Sequence, residues 1–519
     1  MNSIGIILTL ALCASEMPQN AELPNVPKWQ PHDFAFQSSS DYENPFMVPF
    51  SATVTQPDGG KYTIPGFYDG EGTWKVRVAP DAEGNWSLTT HSDDPALDGK
   101  TASFVCVTND NGSVHGGLQI DPEHPYHFIF EDGTRYFLNG YECDWLWALD
   151  MEGPEVPRLD PFLDKLVKYG FNHIILNAYA HDCGWRKGKT GDDDYGPPPM
   201  YAWHGSNEEP DHSRLNLAYW QHYDRMMDSL YRRGIIAHIM IKVYNKMVKW
   251  PARGSAEDDL YFRWLIARYA AYPNVVWDFS KESHNEKDLD YKLNRFRLIR
   301  ETDPYHRLIT DHDDDHAYDS GAYDSILDFR SDQHHRNWHE KILQQRKQHA
   351  WPVVNVEFGY EHGPKGIDDK TYGVAQSPEE FCRRAWEICL AGGYIAYYYT
   401  YTAWDVIRPE DTPPGYSYFR NLYTFFENTG YWLMDPADEL VSKGHCLANP
   451  GQEYIVFLSA PQPFTLKLEG VNQPLKAEWY HPFTGEKVDA GMLSAGTSKL
   501  TPPTAWGKTP VALHVGNKP

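Results

Sequence analysis

The chain has 519 residues, too many for a single hydrophobic core, so it divides into several domains. Its composition is globular, 41% apolar and 23% charged, and its 14% aromatic share suits carbohydrate contact as well as ordinary core packing. A formal net charge of −25 with no basic run argues against nucleic acid and anionic membrane as partners, because both need a Lys/Arg footprint.

At the N-terminus, Ile4 to Ala14 form a short apolar run followed by small and then polar residues. Residues 1–15 read as a signal peptide, too short to span a bilayer, which predicts a secreted, periplasmic or cell-surface bacterial protein. "LALC", ending at Cys13, resembles a lipoprotein box with Leu12 where a small residue is expected. No other segment approaches a membrane span. The other six cysteines have no CxxC spacing, so neither a zinc site nor a disulfide framework is predicted and buried free thiols are expected.

Residues 24–112 alternate in short runs such as "FMVPFSATVT", "WKVRVAP" and "ASFVCVT", separated by Gly, Asp and Pro, which predicts a small antiparallel β-sandwich. A linker over Asn109–Gly117 follows. Between 117 and 435, eight apolar strands alternate with helical stretches: "RYFLNG", "HIILNAY", "IIAHIMIKV", "NVVWDFS", "RLITDHD", "ILDFRSD", "PVVNVEF" and "YIAYYYTYT". That alternation predicts an α/β fold, a (β/α)8 TIM barrel. Strands alone return over 437–517, which predicts a second small β-sandwich. Oligomeric state is not legible.

Barrel enzymes carry their chemistry at the C-terminal ends of the strands. Polar residues follow all eight apolar runs, as an enzyme pocket requires. Asn139 belongs to strand 1, Asn177 and Tyr179 to strand 2, and His284 to strand 4. Arg330, His334 and His335 belong to strand 6, Tyr360 to strand 7, and Tyr401 and Trp404 to strand 8. These are the candidate substrate-binding residues. Only one of His334 and His335 can face the pocket under strand alternation, and either could orient a carboxylate. Two carboxylates stand apart, Glu282 at the end of strand 4 and Glu357 at the end of strand 7, facing each other across the barrel mouth. A pair about 5 Å apart suits retaining hydrolysis of a glycosidic bond, one as nucleophile and one as acid/base.

At these residues the barrel resembles the clan-A retaining glycoside hydrolases. With its two sandwiches, the C-terminal one of collagen-binding type, the chain resembles the apiosidase-like group of bacterial polysaccharide-degrading proteins. The resemblance implies that Glu282 is the acid/base, Glu357 in "NVEFG" the nucleophile and Trp404 in "YTAWD" an aromatic platform. It also implies an Asn before the acid/base, where this chain has Lys281. Alternation should turn Lys281 to the opposite side of the sheet from Glu282, towards a helix carboxylate.

No cofactor is implied. "DHDDDH", Asp311 to His316, could bind a divalent cation, but it lacks EF-hand spacing and reads rather as a solvated acidic loop or a set of sugar contacts. Lys242, Arg330 and Arg186 could recognise an anionic sugar or neutralise pocket carboxylates. The expected function is a secreted glycosidase acting on plant or algal polysaccharide or its oligosaccharides. The alternatives are a non-catalytic carbohydrate-binding or adhesion protein on the same scaffold, and a metal-dependent enzyme.

Overall fold

The structure, a computed structural model, describes residues 23–183, 194–363 and 375–516. The expected signal peptide and Arg186 lie outside the described residues.

Eight parallel strands form a nearly closed barrel. They are β1 Asn139–Glu142, β2 His173–Asn177, β3 Ile236–Val243, β4 Val275–Lys281, β5 in two pieces (Ile309–Thr310 and His312–Asp313), β6 Arg330–Asp332, β7 Val353–Asn355 and β8 Tyr394–Tyr397. Each pairs with its sequence neighbours, and β8 returns to β1 through Asn139↔Ile395 and Tyr141↔Tyr397. The first piece of β5 pairs with β4 and the second with β6, so the ring passes through the break at Asp311.

A helix follows every strand: α1 Leu159–Lys168, α2 Leu217–Arg232, α3 Ala256–Tyr269, α4 Leu289–Thr302, α5 Asp315–Asp319, α6 Trp338–Gln348, α7 Pro378–Leu390 and α8 Gly415–Glu427. Local chemistry starts several of them. The Asn216, Ser255, Asp288 and Ser377 side chains accept backbone N–H groups of α2, α3, α4 and α7, and Pro378 opens α7 where a missing N–H costs nothing.

"RYFLNG" divides between two elements. Arg135–Tyr136 joins Phe128–Phe130 and Leu118–Ile120 in a small antiparallel sheet, and β1 begins only at Asn139. Phe128 of that sheet meets Phe329 edge-on at 5.2 Å, next to β6. Inside the barrel a polar chain runs from Tyr136 to His173 (3.3 Å), His238 (3.0 Å) and Asp278 (2.9 Å). All four are buried, and each ring or carboxylate satisfies the next, as buried polar groups must.

The N-terminal strands form a five-stranded and a three-stranded sheet over a core that includes Trp86 stacked on Phe104. Arg268 of α3 anchors this module, reaching Asp69 at 2.7 Å and Asp224 of α2 at 2.6 Å. The C-terminal strands form a six-stranded sheet and a two-stranded one. They dock on α7, where Trp386 stacks on Phe457 at 5.3 Å. The six described cysteines are free and buried.

Candidate active site

β4 ends in an irregular turn. Asp278 points into the barrel towards His238, and Phe279 points out between Phe262 of α3 and Tyr291 and Phe296 of α4. Glu282 follows with φ 51°, a left-handed conformation that a non-glycine residue adopts only when its surroundings impose it. The next residue supplies that constraint. The Ser283 hydroxyl donates to Asp311 at 2.9 Å, and the Ser283 carbonyl accepts from Lys292 at 3.1 Å. Lys292 also pairs with Asp313, and the Tyr323 hydroxyl donates to Asp313 at 2.7 Å and lies 3.0 Å from Asp311. Asp311 and Asp313 are therefore a buried clamp on the Glu282 turn, which corrects for these residues the reading of "DHDDDH" as solvated or sugar-binding, while Asp314 and His316 are exposed. Glu282 itself is half-buried and accepts from the Asn285 amide at 3.2 Å.

Lys281 is a second correction. Strict alternation from outward Phe279 would turn it outward, yet its ammonium lies inside the barrel mouth. It pairs there with Glu142 of β1, with Glu357 at 3.3 Å and with Asp144 at 3.4 Å. The strand leaves regular geometry just before the left-handed turn, and three buried carboxylates supply the attraction. Burial opposes the Lys281 charge, but Asp144, Glu142 and Glu357 outweigh it and hold the ammonium well above the ordinary lysine range. One ammonium cannot neutralise three carboxylates. Burial opposes the Glu142 charge more strongly than Lys281 supports it, and pushes this carboxyl well above the usual carboxylate range.

Glu357 is the ionised member. Burial would raise it, but Lys281 first, then His312 and His335, then the Tyr360 hydroxyl that donates to it, bring it down to about 2. Gly359, at φ 147°, lets the chain turn after β7 and return Tyr360 to the carboxylate. Glu282 shares this neighbourhood, since it raises both the His312 imidazole and the Tyr360 phenol, which also feel Glu357. Burial, followed by Lys281, pulls His312 down overall, and burial pulls His335 down, so both rings are neutral near pH 7.

The other expected site residues separate into two groups. Tyr360 stands on Glu357, and Trp404 lies 5.5 Å from the Tyr360 ring, also in the left-handed region at φ 59°. His335 faces Glu357, while His334 lies 3.3 Å from Asp332. The Asn177 side chain ends β2 fully buried with neither amide atom hydrogen-bonded, and His173 and Asn177 share the inward parity of their strand.

Asn139 is corrected: it sits at the N-terminal end of β1, and its amide donates to the Gly170 carbonyl at 3.0 Å. Arg330 is corrected too. It lies between β6 and the helices, bonding Asp332 at 2.7 Å and Gln348 at 3.2 Å over the Tyr318 ring. Lys242 likewise pairs with Asp258 of α3 at 2.7 Å. Tyr179 belongs to an aromatic cluster with Trp147, Tyr201, Trp203 and Tyr219, its hydroxyl 3.2 Å from His181. Tyr401 packs under the Arg408 guanidinium at 3.9 Å, and His284 is half-buried in the turn after Glu282.

Sequence reasoning missed Lys281, Glu142 and His312 as partners of Glu357. Glu142 had a usable signal: it follows outward Tyr141 in β1, which gives it the inward parity.

The described residues include no helix long and apolar enough to cross a membrane. Comparison with protein-family models aligns residues 123–458 with "Apiosidase-like, catalytic domain" and residues 25–93 with "Domain of unknown function (DUF5060)". No curated protein matches the chain. Among similar solved structures is a candidate glycoside hydrolase from Bacteroides vulgatus, with TM-score 0.77 and 20% identity, covering 95% of this chain and 99% of its own. Another is a glycoside hydrolase family 5 structure from the same organism, with TM-score 0.60 and 17% identity, covering 78% of this chain and 93% of its own. At these identities the likeness speaks for the fold, a glycoside hydrolase barrel. The family alignment spans well over half of the sequence and contains the whole barrel with both mouth carboxylates, and the chain belongs to the family of apiosidase-like catalytic domains.

Proposed function

We propose that the chain is a retaining glycosidase, exported from a bacterial cell, that acts on a plant or algal polysaccharide or on oligosaccharides derived from it. The observation that carries this reading is the unequal environment of two carboxylates at one barrel mouth. Glu357 is held ionised by Lys281 at 3.3 Å and by the Tyr360 hydroxyl. Glu282, on its clamped left-handed turn, has the Asn285 amide as its hydrogen-bond partner. A double displacement needs one carboxylate that stays charged and one carboxyl that can give a proton away.

Glu357 attacks the anomeric carbon as the bond to the leaving oxygen breaks, and Glu282 protonates that oxygen. Glu282 then takes a proton from water, whose oxygen displaces Glu357 from the sugar and restores both groups. Tyr360 stands on Glu357 with Trp404 5.5 Å from its ring, which makes Trp404 the candidate platform for a sugar ring, and the unpaired Asn177 amide is a candidate donor and acceptor for a sugar hydroxyl.

Hydrolysis by the wild-type chain and by Glu357→Gln, screened on arrayed plant and algal polysaccharides, tests this reading. Release of sugar by the wild type alone, with the first-formed product keeping the anomeric configuration of the substrate, is expected. Binding to a polysaccharide without hydrolysis by either chain would instead favour a carbohydrate-binding protein.

A further inference from the structure

A second cluster of ionisable side chains joins the barrel to the C-terminal sandwich. His339 lies in the first turn of α6, Asp438 in the short 3-10 turn Asp438–Leu440, and His445 at the start of the strand His445–Asn449. Three segments distant in sequence thus bring two imidazoles and one carboxylate together, with one ligand atom from each lying within 4.8 Å of the others. His339 Nε2 is 2.8 Å and His445 Nδ1 3.2 Å from the same oxygen, Asp438 Oδ2.

The surroundings orient these groups. His339 Nδ1 lies 3.0 Å from the Glu387 backbone carbonyl, which can only accept, so Nδ1 carries the hydrogen. The Nε2 atom of the neutral ring is then a lone pair aimed at a carboxylate oxygen, and two acceptors 2.8 Å apart need a positive charge between them. The Cys446 N–H donates to Asp438 Oδ1 at 2.8 Å, which leaves Oδ2 to face the two rings. A ring fixed by a backbone carbonyl and a carboxylate fixed by a backbone N–H are the outer supports that metal ligands commonly have. A single proton on His339, with a neutral His445 donating through Nδ1, is the competing occupant, and metal titration separates the two. One divalent ion satisfies all three groups.

We propose that His339, Asp438 and His445 bind a divalent transition-metal ion, Zn2+ by preference, which cross-links the barrel to the C-terminal sandwich. Imidazole and carboxylate together suit this borderline ion better than Ca2+, which takes six to eight oxygens. His339 is anchored by Glu387. His445, the more exposed ring, must swing out of its stack to bring Nδ1 into the plane of the ion. A fourth position is left for water.

The test uses the full chain, stripped with a chelator and titrated with ZnCl2 or CaCl2, with bound metal counted by elemental mass spectrometry. One Zn2+ per chain is expected, with no uptake of Ca2+ at this site. His445→Ala removes a partly exposed ring and leaves the fold, and it should weaken Zn2+ binding about 10- to 100-fold, as should Asp438→Asn. Failure of the wild type to take up Zn2+ would overturn the proposal and leave the cluster a hydrogen-bonded group only. Equal uptake by the wild type and both variants would overturn it as well, by placing the ion elsewhere.

Discussion

The Lys281 ammonium stands 3.3 Å from Glu357, although these residues belong to strands on opposite sides of the barrel and Lys281 directly precedes the other candidate catalytic carboxyl. A single cation thereby gives the two carboxylates different surroundings. It sits against Glu357, and the turn that follows it presents Glu282 on a different backbone course.

Removing that cation should show in a pH profile. The depressed pKa of Glu357 means that its charge, and the stability the charge contributes, persist above the ordinary carboxylate range and are lost only as pH falls towards about 2. In Lys281→Met, burial dominates and the carboxyl titrates higher, so the acid limb of kcat/KM should move up by at least about one unit. Breaking a buried ion pair costs about 3–5 kcal/mol, so Lys281→Met/Glu142→Gln, which also removes one of the three carboxylates left behind, is the companion variant. An acid limb unmoved in both variants would contradict the assignment.

Tyr360→Phe deletes the hydroxyl that donates to Glu357 and little else. A hydrogen bond to a charged group contributes about 1.5–3 kcal/mol. The variant should therefore lose about 10- to 100-fold in kcat/KM and also unfold at a lower temperature than the wild type, as steady-state kinetics and thermal unfolding would report.

The left-handed turn predicts a trade between stability and activity at one position. Glycine meets no Cβ penalty at φ 51°, whereas alanine pays roughly 1–2 kcal/mol. Glu282→Gly should unfold at a higher temperature than Glu282→Ala, and both should be inactive on substrates with poor leaving groups. Equal unfolding temperatures would mean that the turn relaxes in solution.

Glu361 lies outside the mouth. Its buried carboxyl accepts from the Tyr397 hydroxyl at 2.6 Å and the Gly415 N–H at 3.2 Å, yet burial pushes it up to about 7. A raised carboxyl favours the protonated fold, so its contribution is complete below the unfolded pKa, about 4.3, and is lost as pH rises through about 7. Wild-type stability should fall over that window by roughly 2–4 kcal/mol through this group. The fall should be absent from denaturant unfolding of Glu361→Gln.

The barrel was legible because its strands are near-continuous apolar runs between amphipathic helices, a pattern set by burial on both faces. Glu282 and Glu357 were legible as polar punctuation at the ends of such runs. Side-chain direction at irregular strand ends was not. Alternation misplaced Lys281 because β4 departs from regular geometry beside a left-handed residue, and no local propensity announces such a turn. Asn139 and Arg330 were read as top-face residues from runs whose ends were drawn too early or whose outward parity was not applied. The buried clamp of Asp311 and Asp313 depends on Lys292 and Tyr323, which lie in other elements and carry no motif.

The most direct measurement traps the nucleophile. The wild-type chain is incubated with a 2-deoxy-2-fluoro glycoside bearing an activated leaving group, its sugar chosen from the polysaccharide screen, and is then digested and mapped by mass spectrometry. The account predicts one glycosyl adduct on the peptide containing Glu357, formed also by Glu282→Gln and absent from Glu357→Gln. An adduct on another residue, or turnover of the parent substrate with inversion and no adduct, would contradict it.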